Sequence, residues 1–495
     1  MLYTIYTSKV KLNMENINSW KDIQWSIVEQ KVFRLQLRIY KAALNQEWEK
    51  MYKLQNLLIN SMMAKYLAVR RVTQDNAGKN TDGVDNLLIK SSSEKFELAN
   101  RLKLDGKSSR IRRTDISPAD GRQRSLCLPT IEDRAKQMLA SLALNPQWEA
   151  QFEAQSYWFH PLDAIETVLL GISNKPKWVF NATISNCFER INYTYLLDKC
   201  KTYPKMRKQI RAWLKGGILD GDFYALPEMS THQVEIISTL LVNIALHGLQ
   251  SRLKEHIHRL EENCFKNSQA LTYVRYANDF VLMYPDKKVL ENLLEVIQEF
   301  LKPIGLELNN KQPLMVHTFQ SSGFTFLGFD IIQKPNWAQK RKAVSKREST
   351  QKFITLITPS KEEIKRHKLK IRECIRRYRG LNQERLIQTL NPIIRSWALS
   401  KCTKFSSKTF QALDQYVFIH LWKWARKRHP KMSKSKLKDK YWHQVRSRNW
   451  VFGIKNKDGQ ITIQLQHHSK IKIKRYPKIK GTASSFDGNL FYWAK

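Results

Sequence analysis

The residues best placed to do chemistry are Asn278 and Asp279, in the run YVRYANDFVLMY at 273–284. Two apolar stretches flank Ala277-Asn278-Asp279, a pattern that predicts two strands joined by a tight hairpin. Such a hairpin lifts the Asp279 carboxylate out of a buried sheet. A carboxylate held this way suits metal-dependent phosphoryl transfer, in which charged oxygens hold hard cations over the attacking and leaving groups. That chemistry wants a second acid, yet the neighbouring position carries the neutral Asn278. The hairpin is either the centre of an enzyme or the frame of one.

A partner strand must bring further groups beside it. KWVFNATISNCFERIN at 177–192 reads as strand then helix, the shape that template-copying polymerases use for this purpose. The region from about 120 to 335 alternates strand-like runs (KWVFNATI, YVRY, FVLMY, FTFLGFDI) with helical ones, which predicts an α+β domain. Upstream, Val28, Leu35, Ile39, Leu54, Leu58 and Leu67 fall at helical spacing, and the loop TQDNAGKNTDGVDN at 73–86 closes that unit. In GRQRSLCLPTIEDRAKQML a polar turn leads into an apolar strand closed by Pro129, then a helix. From Ser360 the pattern becomes a basic helical bundle. A capping box of Ser360 and Glu363 opens it, Asn391-Pro392 is expected to start a second helix at IIRSWAL, and Phe410, Leu413, Val417, Leu421 and Trp424 form a third stripe stopped by Pro430. A hairpin is expected around Asp458-Gly459.

Charge narrows the class of partner. The 495 residues hold 85 Lys+Arg against 44 Asp+Glu, a net +41, together with 14 Trp, 18 Tyr and 21 Phe. This points to a polyanion whose phosphates are neutralised while aromatic rings stack on bases or fill the core. Residues 421–450 alone carry eleven Lys/Arg and one acid, Asp439. No membrane partner is expected, because the longest apolar run, IISTLLVNIALHGL at 236–249, is short and broken by Ser, Thr, Asn and His. The six cysteines are scattered without a C-x-x-C pair, so reduced thiols and no structural zinc are expected. The N-terminus MLYTIYTSKVKLNMEN shows no targeting pattern, so synthesis in the working compartment is expected.

Several motifs then fall into one order. SWKDIQWSIVEQKVFRLQLRIYKAA and LAVRRVTQDNAGKNTDGVD are followed by RQRSLCLPTIEDRAKQMLASLALNPQWEAQFE, TLLVNIALHG, YANDF, IGLELNNKQPLMVHT and GFTFLGFDI, and these by LNPIIRSWALS and SKTFQALDQYVFIHLWKWARKRHPKMSK. In that order the chain resembles the reverse transcriptase/maturase proteins encoded within group II introns. The resemblance implies a right-hand polymerase frame: a helical N-terminal extension at 1–86, fingers and palm at 87–335, a helical thumb or maturase domain at 336–450, and a basic C-terminal remnant at 451–495 without the Cys/His nuclease domain of many relatives. It also implies an acid five residues before the aromatic Phe188, where this chain has Thr183, and a Tyr-Ala-Asp-Asp hairpin, where it has Tyr276-Ala277-Asn278-Asp279. Of three family acids only Asp279 remains.

Other palm motifs depart likewise. A family Thr-Pro-Gln-Gly-Gly loop is replaced by Thr231-His232-Gln233-Val234-Glu235, a Tyr-Gly-Phe-Arg-Pro motif by Tyr157-Trp158-Phe159-His160-Pro161, and a glycine by Cys127. Arg122 and Arg124 keep the family pattern and read equally as general phosphate contacts. Arg395, Arg426, Lys427 and Arg428 are the thumb cations expected to contact nucleic acid. The resemblance thus implies an RNA-binding maturase that assists splicing of the group II intron encoding it, with reverse transcriptase activity lost. No cofactor is expected, and Mg2+ only with residual polymerase activity. The competing readings are an active RNA-directed DNA polymerase of a mobile intron, a non-functional relic, and a generic basic RNA chaperone. KIKIKRYPKIKG reads equally as a DNA- or RNA-contacting segment and as a solvated edge strand. Plastid is the expected compartment, with mitochondrion or bacterial cytoplasm as alternatives.

Overall fold

The computed structural model describes residues 17–116, 124–157, 161–173, 176–185, 190–216, 218–220, 223–225, 236–260, 270–309, 314–319, 323–335, 353–403, 405–445, 448–456, 459–472 and 484–488. The N-terminal apolar spacing forms three helices, Trp25–Leu44, Trp48–Asn60 and Met62–Arg70, with Val28, Ile39, Leu54, Leu58 and Leu67 buried. They pack on the helix Ile131–Glu149, which Thr130 caps by accepting from the Asp133 N–H at 3.2 Å. Two buried glutamines fix this contact: Gln36 Nε2 donates to Leu142 O at 2.8 Å and Gln55 Nε2 to Ala143 O at 3.1 Å. Arg134 clasps the 73–86 loop, donating to Thr81 O at 2.7 Å. One apolar cluster runs from Trp20 to Leu306, so the N-terminal helices and the middle region share a core.

A sheet ordered β2-β1-β5-β6 joins β1 (Ile111–Ile116), β2 (Arg124–Leu128), β5 (Ile218–Asp220) and β6 (Phe223–Ala225). The central six-stranded sheet runs β10-β4-β8-β7-β3. Its strands are β10 (Leu314–His317), β4 (Trp178–Ser185), β8 (Asp279–Tyr284), β7 (Thr272–Tyr276) and β3 (Ser156–Tyr157), with β9 (Glu307–Leu308) paired to the end of β4. Both faces are covered. Phe180, Ala182, Tyr273, Phe280 and Leu282 face the large core with helices Ser238–Leu246 and Lys287–Leu301. Val179, Val274, Val281 and Met283 face helix Pro161–Ile172 and a smaller sheet. Two-sided burial is why β7 and β8 read as continuous apolar runs.

That smaller sheet, β11-β12-β13, comprises β11 (Phe324–Phe326), β12 (Phe329–Pro335) and β13 (Phe353–Pro359); β12 pairs with β13 across the expected boundary at 335. Four helices follow: Lys361–Arg377, Gln383–Ser400, Ser407–Arg428 and Lys434–Tyr441. Ser360 accepts from the Glu363 N–H at 3.3 Å, whereas the Glu363 carboxylate binds Arg366, so half of the expected capping box forms.

The expected helix start at Asn391-Pro392 is corrected. One helix runs from an Asn382 cap, and Pro392 lies inside it. Asn391 instead turns outward to the chain end, donating to Gln464 O at 3.0 Å and accepting from the Gln466 N–H at 2.8 Å. Leu386, Ile387, Leu390 and Ile394 are fully buried along that helix, and this packing outweighs the bond that an internal proline forfeits. A last sheet orders β14 (Trp442–Val445), β15 (Arg448–Lys455) and β16 (Ile461–Gln464). Phe452 and Leu465 are buried in the helical core, so the chain past 450 is integral to this unit. Gly459, at φ +80°, makes the expected turn, while Asp458 lies outside the described residues. Among the described residues no helix is long and apolar enough to cross a membrane.

Candidate functional site

Alternation along the strands decides which side chains meet. Val179, Asn181 and Thr183 share a face of β4, while Asp279, Val281 and Met283 share the same face of β8, and the antiparallel register sets Thr183 opposite Asp279. Thr183 Oγ1 donates to Asp279 Oδ1 over 2.6 Å. Burial pushes the Asp279 carboxyl above the usual carboxylate range, and the Thr183 hydrogen bond works against that rise.

The turn is a two-residue hairpin between the paired Tyr276 and Asp279. Ala277 takes φ +53°, which costs about 1 kcal/mol without a glycine. Its N–H is anchored on Tyr157 O at 3.1 Å. Asn278 is committed to the backbone of β4: its Nδ2 donates to Ile184 O at 3.3 Å and its carbonyl accepts from the Ile184 N–H at 2.9 Å. Below the strand end, Asn309 N–H donates to Thr183 O at 3.0 Å. The approach to β9 requires Gly305, whose φ is +81° and where a Cβ would sit 2.4 Å from Arg190 O.

One residue of the site was missed in the sequence. Arg275 is fully buried beneath the turn, where its Nη1 donates to Asn243 Oδ1 and to Ala277 O, the latter at 3.1 Å. It braces the hairpin against the helix Ser238–Leu246. The only available signal was a cation in an otherwise apolar run.

The sequence-predicted contact residues lie elsewhere. Arg395 is exposed on the helix Gln383–Ser400, and Arg426 and Lys427 are exposed in the last turn of Ser407–Arg428. Arg428 is also exposed, but its Nη1 donates to Leu381 O at 2.7 Å and its guanidinium lies 5.4 Å from the Trp424 ring of its own helix, so it ties the end of that helix to the turn preceding Gln383–Ser400. Arg124 lies in β2 opposite Ile116. Arg122, Phe188, residues 231–235 and residues 158–160 lie outside the described residues. Among the described residues no three of His, Cys, Asp and Glu converge to hold a metal.

Three family models match the chain in succession. Residues 20–102 match the N-terminal domain of reverse transcriptase, 112–331 the reverse transcriptase (RNA-dependent DNA polymerase) domain, and 364–442 the group II intron maturase-specific domain. The chain belongs to the group II intron-encoded reverse transcriptase/maturase family. The sheets within residues 112–331 belong to the reverse transcriptase domain of an α+β chain, preceded by a helical N-terminal region and followed by the maturase domain. Relatives include Maturase-like protein 1 of Euglena gracilis, 27% identical over 63% of this chain and 65% of that protein. Group II intron-encoded protein LtrA of Lactococcus lactis subsp. cremoris is 26% identical over 59% of this chain and 58% of its own length. Protein YkfC of Escherichia coli is 26% identical over 59% of this chain and 87% of its own length. The chain thus spans less than two thirds of the first and second of these relatives.

Family membership sharpens the chemistry of the hairpin. A pair of divalent cations over a reacting phosphate needs several charged oxygens. Here the donors are one partly buried carboxylate, a hydroxyl whose proton points at it, and an amide that donates to the opposite strand. This donor set does not fit a two-cation centre of the family's polymerase kind.

Proposed function

We propose that this chain is a maturase. It binds the group II intron RNA of its own precursor transcript and stabilises the splicing-competent fold, while the RNA performs the chemistry and its palm no longer polymerises. The carrying observation is the hydrogen bond between Thr183 and Asp279, which closes the lone remaining carboxylate onto a neutral neighbour. The maturase-specific domain, in contrast, is matched across 364–442 and presents Arg395, Arg426 and Lys427 to solvent. A protein that binds only the folded RNA shifts that folding equilibrium by its binding free energy alone, with no reaction of its own.

Net charge supports affinity for any RNA, so choice of this intron must come from RNA shape. The test is recovery of RNA with the protein from its native compartment. One precursor transcript carrying its own intron should dominate, and raising salt should strip bulk RNA sooner than that intron. Indiscriminate recovery of abundant RNAs would replace this reading with that of a general RNA chaperone. The DNA flanking the reading frame should fold as a group II intron, and its genome of origin tests the proposed plastid location.

A further inference from the structure

Beyond the matched maturase-specific domain, β15 carries Trp450, whose indole is 43% exposed and whose backbone sits at φ +69°. A bulky residue with left-handed φ is a strained exception, and such strain persists where the surrounding structure over-determines it. The surroundings are aromatic. Phe418 meets the Trp450 ring edge-on at 5.9 Å and Trp422 lies tilted at 6.1 Å, with Trp442 buried behind them, 5.0 Å from Trp422. The ring is therefore held rigidly while much of its surface stays open.

The charge around it is predominantly positive. Lys438 Nζ lies 5.1 Å from the Trp450 ring centroid, and Phe418, Trp422 and the exposed Arg426 are spaced four residues apart on one face of the helix Ser407–Arg428. Lys434, Lys436 and Lys440 are exposed on the short helix that carries Lys438, and Asp439 is the only acid within it. A rigid open indole beside lysines is complementary to a nucleobase with its phosphate, since any base has a π-face and stacking tolerates sequence. Base-paired RNA hides those faces in its own stack.

We infer that Trp450 is a stacking platform for one unpaired nucleotide of single-stranded RNA, with Lys438 and Arg426 on the adjoining phosphates. The inference rests on the proposed RNA-binding role but does not depend on which intron is chosen.

The experiment uses the full chain, a fluorescein-labelled ten-nucleotide oligouridylate and a twelve-base-pair RNA duplex, with anisotropy titrations at about 0.2 M salt to suppress non-specific contacts. Trp450→Ala should weaken oligouridylate binding about tenfold and leave duplex binding within about twofold, in the range expected for loss of one stacked base. Trp450→Phe, which retains a ring, should recover most of that loss. Lys438→Gln should flatten the oligouridylate salt dependence by about one unit of slope. An unchanged thermal midpoint shows that each variant folds. Equal oligouridylate affinity for Trp450→Ala and the parent overturns the inference, as does an equal loss on duplex. Retained RNA binding with loss of a co-purifying protein would assign the platform to a protein partner and likewise overturn it. A protein that binds oligouridylate through Trp450 but shows no preference for its own intron would refute the proposed function and leave this site standing.

Discussion

Replacing Thr183 by Asp sets a second acid beside Asp279 and, by this geometry, costs stability before it helps chemistry. Thr183 Oγ1 now donates to Asp279 Oδ1 at 2.6 Å, and Asp279 is already penalised by burial. Thr183→Asp exchanges that hydrogen bond, worth about 1.5–3 kcal/mol to a charged acceptor, for a second carboxylate. Two unit charges about 4 Å apart repel by about 4 kcal/mol at an effective dielectric constant of 20. The pair relieves part of this by sharing a proton, so the penalty is greatest at high pH. We expect the palm strands to lose about 3–4 kcal/mol of local stability at pH 8, and appreciably less at pH 5. The assay is hydrogen exchange read by mass spectrometry over the peptides covering β4 and β8, because a chain of several units does not unfold in two states. Thr183→Val removes only the hydroxyl and should cost about 1–3 kcal/mol. Millimolar Mg2+ should return part of the lost protection to Thr183→Asp and none to the parent. Unchanged or increased protection in Thr183→Asp without divalent cations would refute the reasoning.

Three other outcomes follow from the same structure. Folding raises the Asp279 pKa, so its ionised form opposes folding, and this cost grows as pH rises above the ordinary carboxylate range. Asp279→Asn should therefore stabilise the palm at neutral pH and lose that advantage as pH falls below that range, as read by exchange at several pH values. In the thumb, burial opposes ionisation of Asp414, but hydrogen bonds from His467, His468 and Ser469 outweigh it and hold the carboxyl well below its usual range. That stability is present above the unfolded carboxylate range and is lost progressively as pH falls below it through the depressed folded value, and Asp414→Asn should cost about 2–4 kcal/mol and release residues 466–471 to proteolysis. Thr183→Asp combined with Asn278→Asp should fail to restore primer extension on an RNA template, since the sequence carries His232, Val234 and Glu235 where the family resemblance implies small residues; full rescue would assign the loss to the metal acids alone.

Much of this was legible because local physics agreed with the fold. The β7–β8 hairpin announced itself by two apolar runs around a turn, and the stripe Phe410, Leu413, Val417, Leu421 and Trp424 is buried as its spacing predicts. The failures come where distant contacts overrule a local rule. Asn391-Pro392 carries the residues of a helix start, yet its asparagine is claimed by a strand more than seventy residues on. The same holds for His468, which is fully buried and receives no signal from its basic neighbourhood; it meets His367 Nε2 at 2.8 Å and Asp414 at 2.8 Å, and burial beside it drives the His367 imidazole down to about 3. Arg275 was hidden for the opposite reason, since charge normally marks the surface and acceptors at Asn243, on the helix Ser238–Leu246, and at Ala277 O make its burial tolerable. Arg428 looked like its exposed neighbours Arg426 and Lys427 because a carbonyl partner at Leu381 lies in a different turn.

The central claim is that the polymerase frame persists as scaffold while the thumb holds the intron. It is tested most directly by splicing efficiency of the host transcript with two variants, each shown by circular dichroism to fold. Asp279→Ala should splice as the parent does. Arg426→Gln with Lys427→Gln, which spares the structural Arg428, should weaken intron binding, flatten its salt dependence by up to about two units of slope and lower splicing. Failure of splicing in Asp279→Ala, with normal splicing in the thumb variant, would contradict the account.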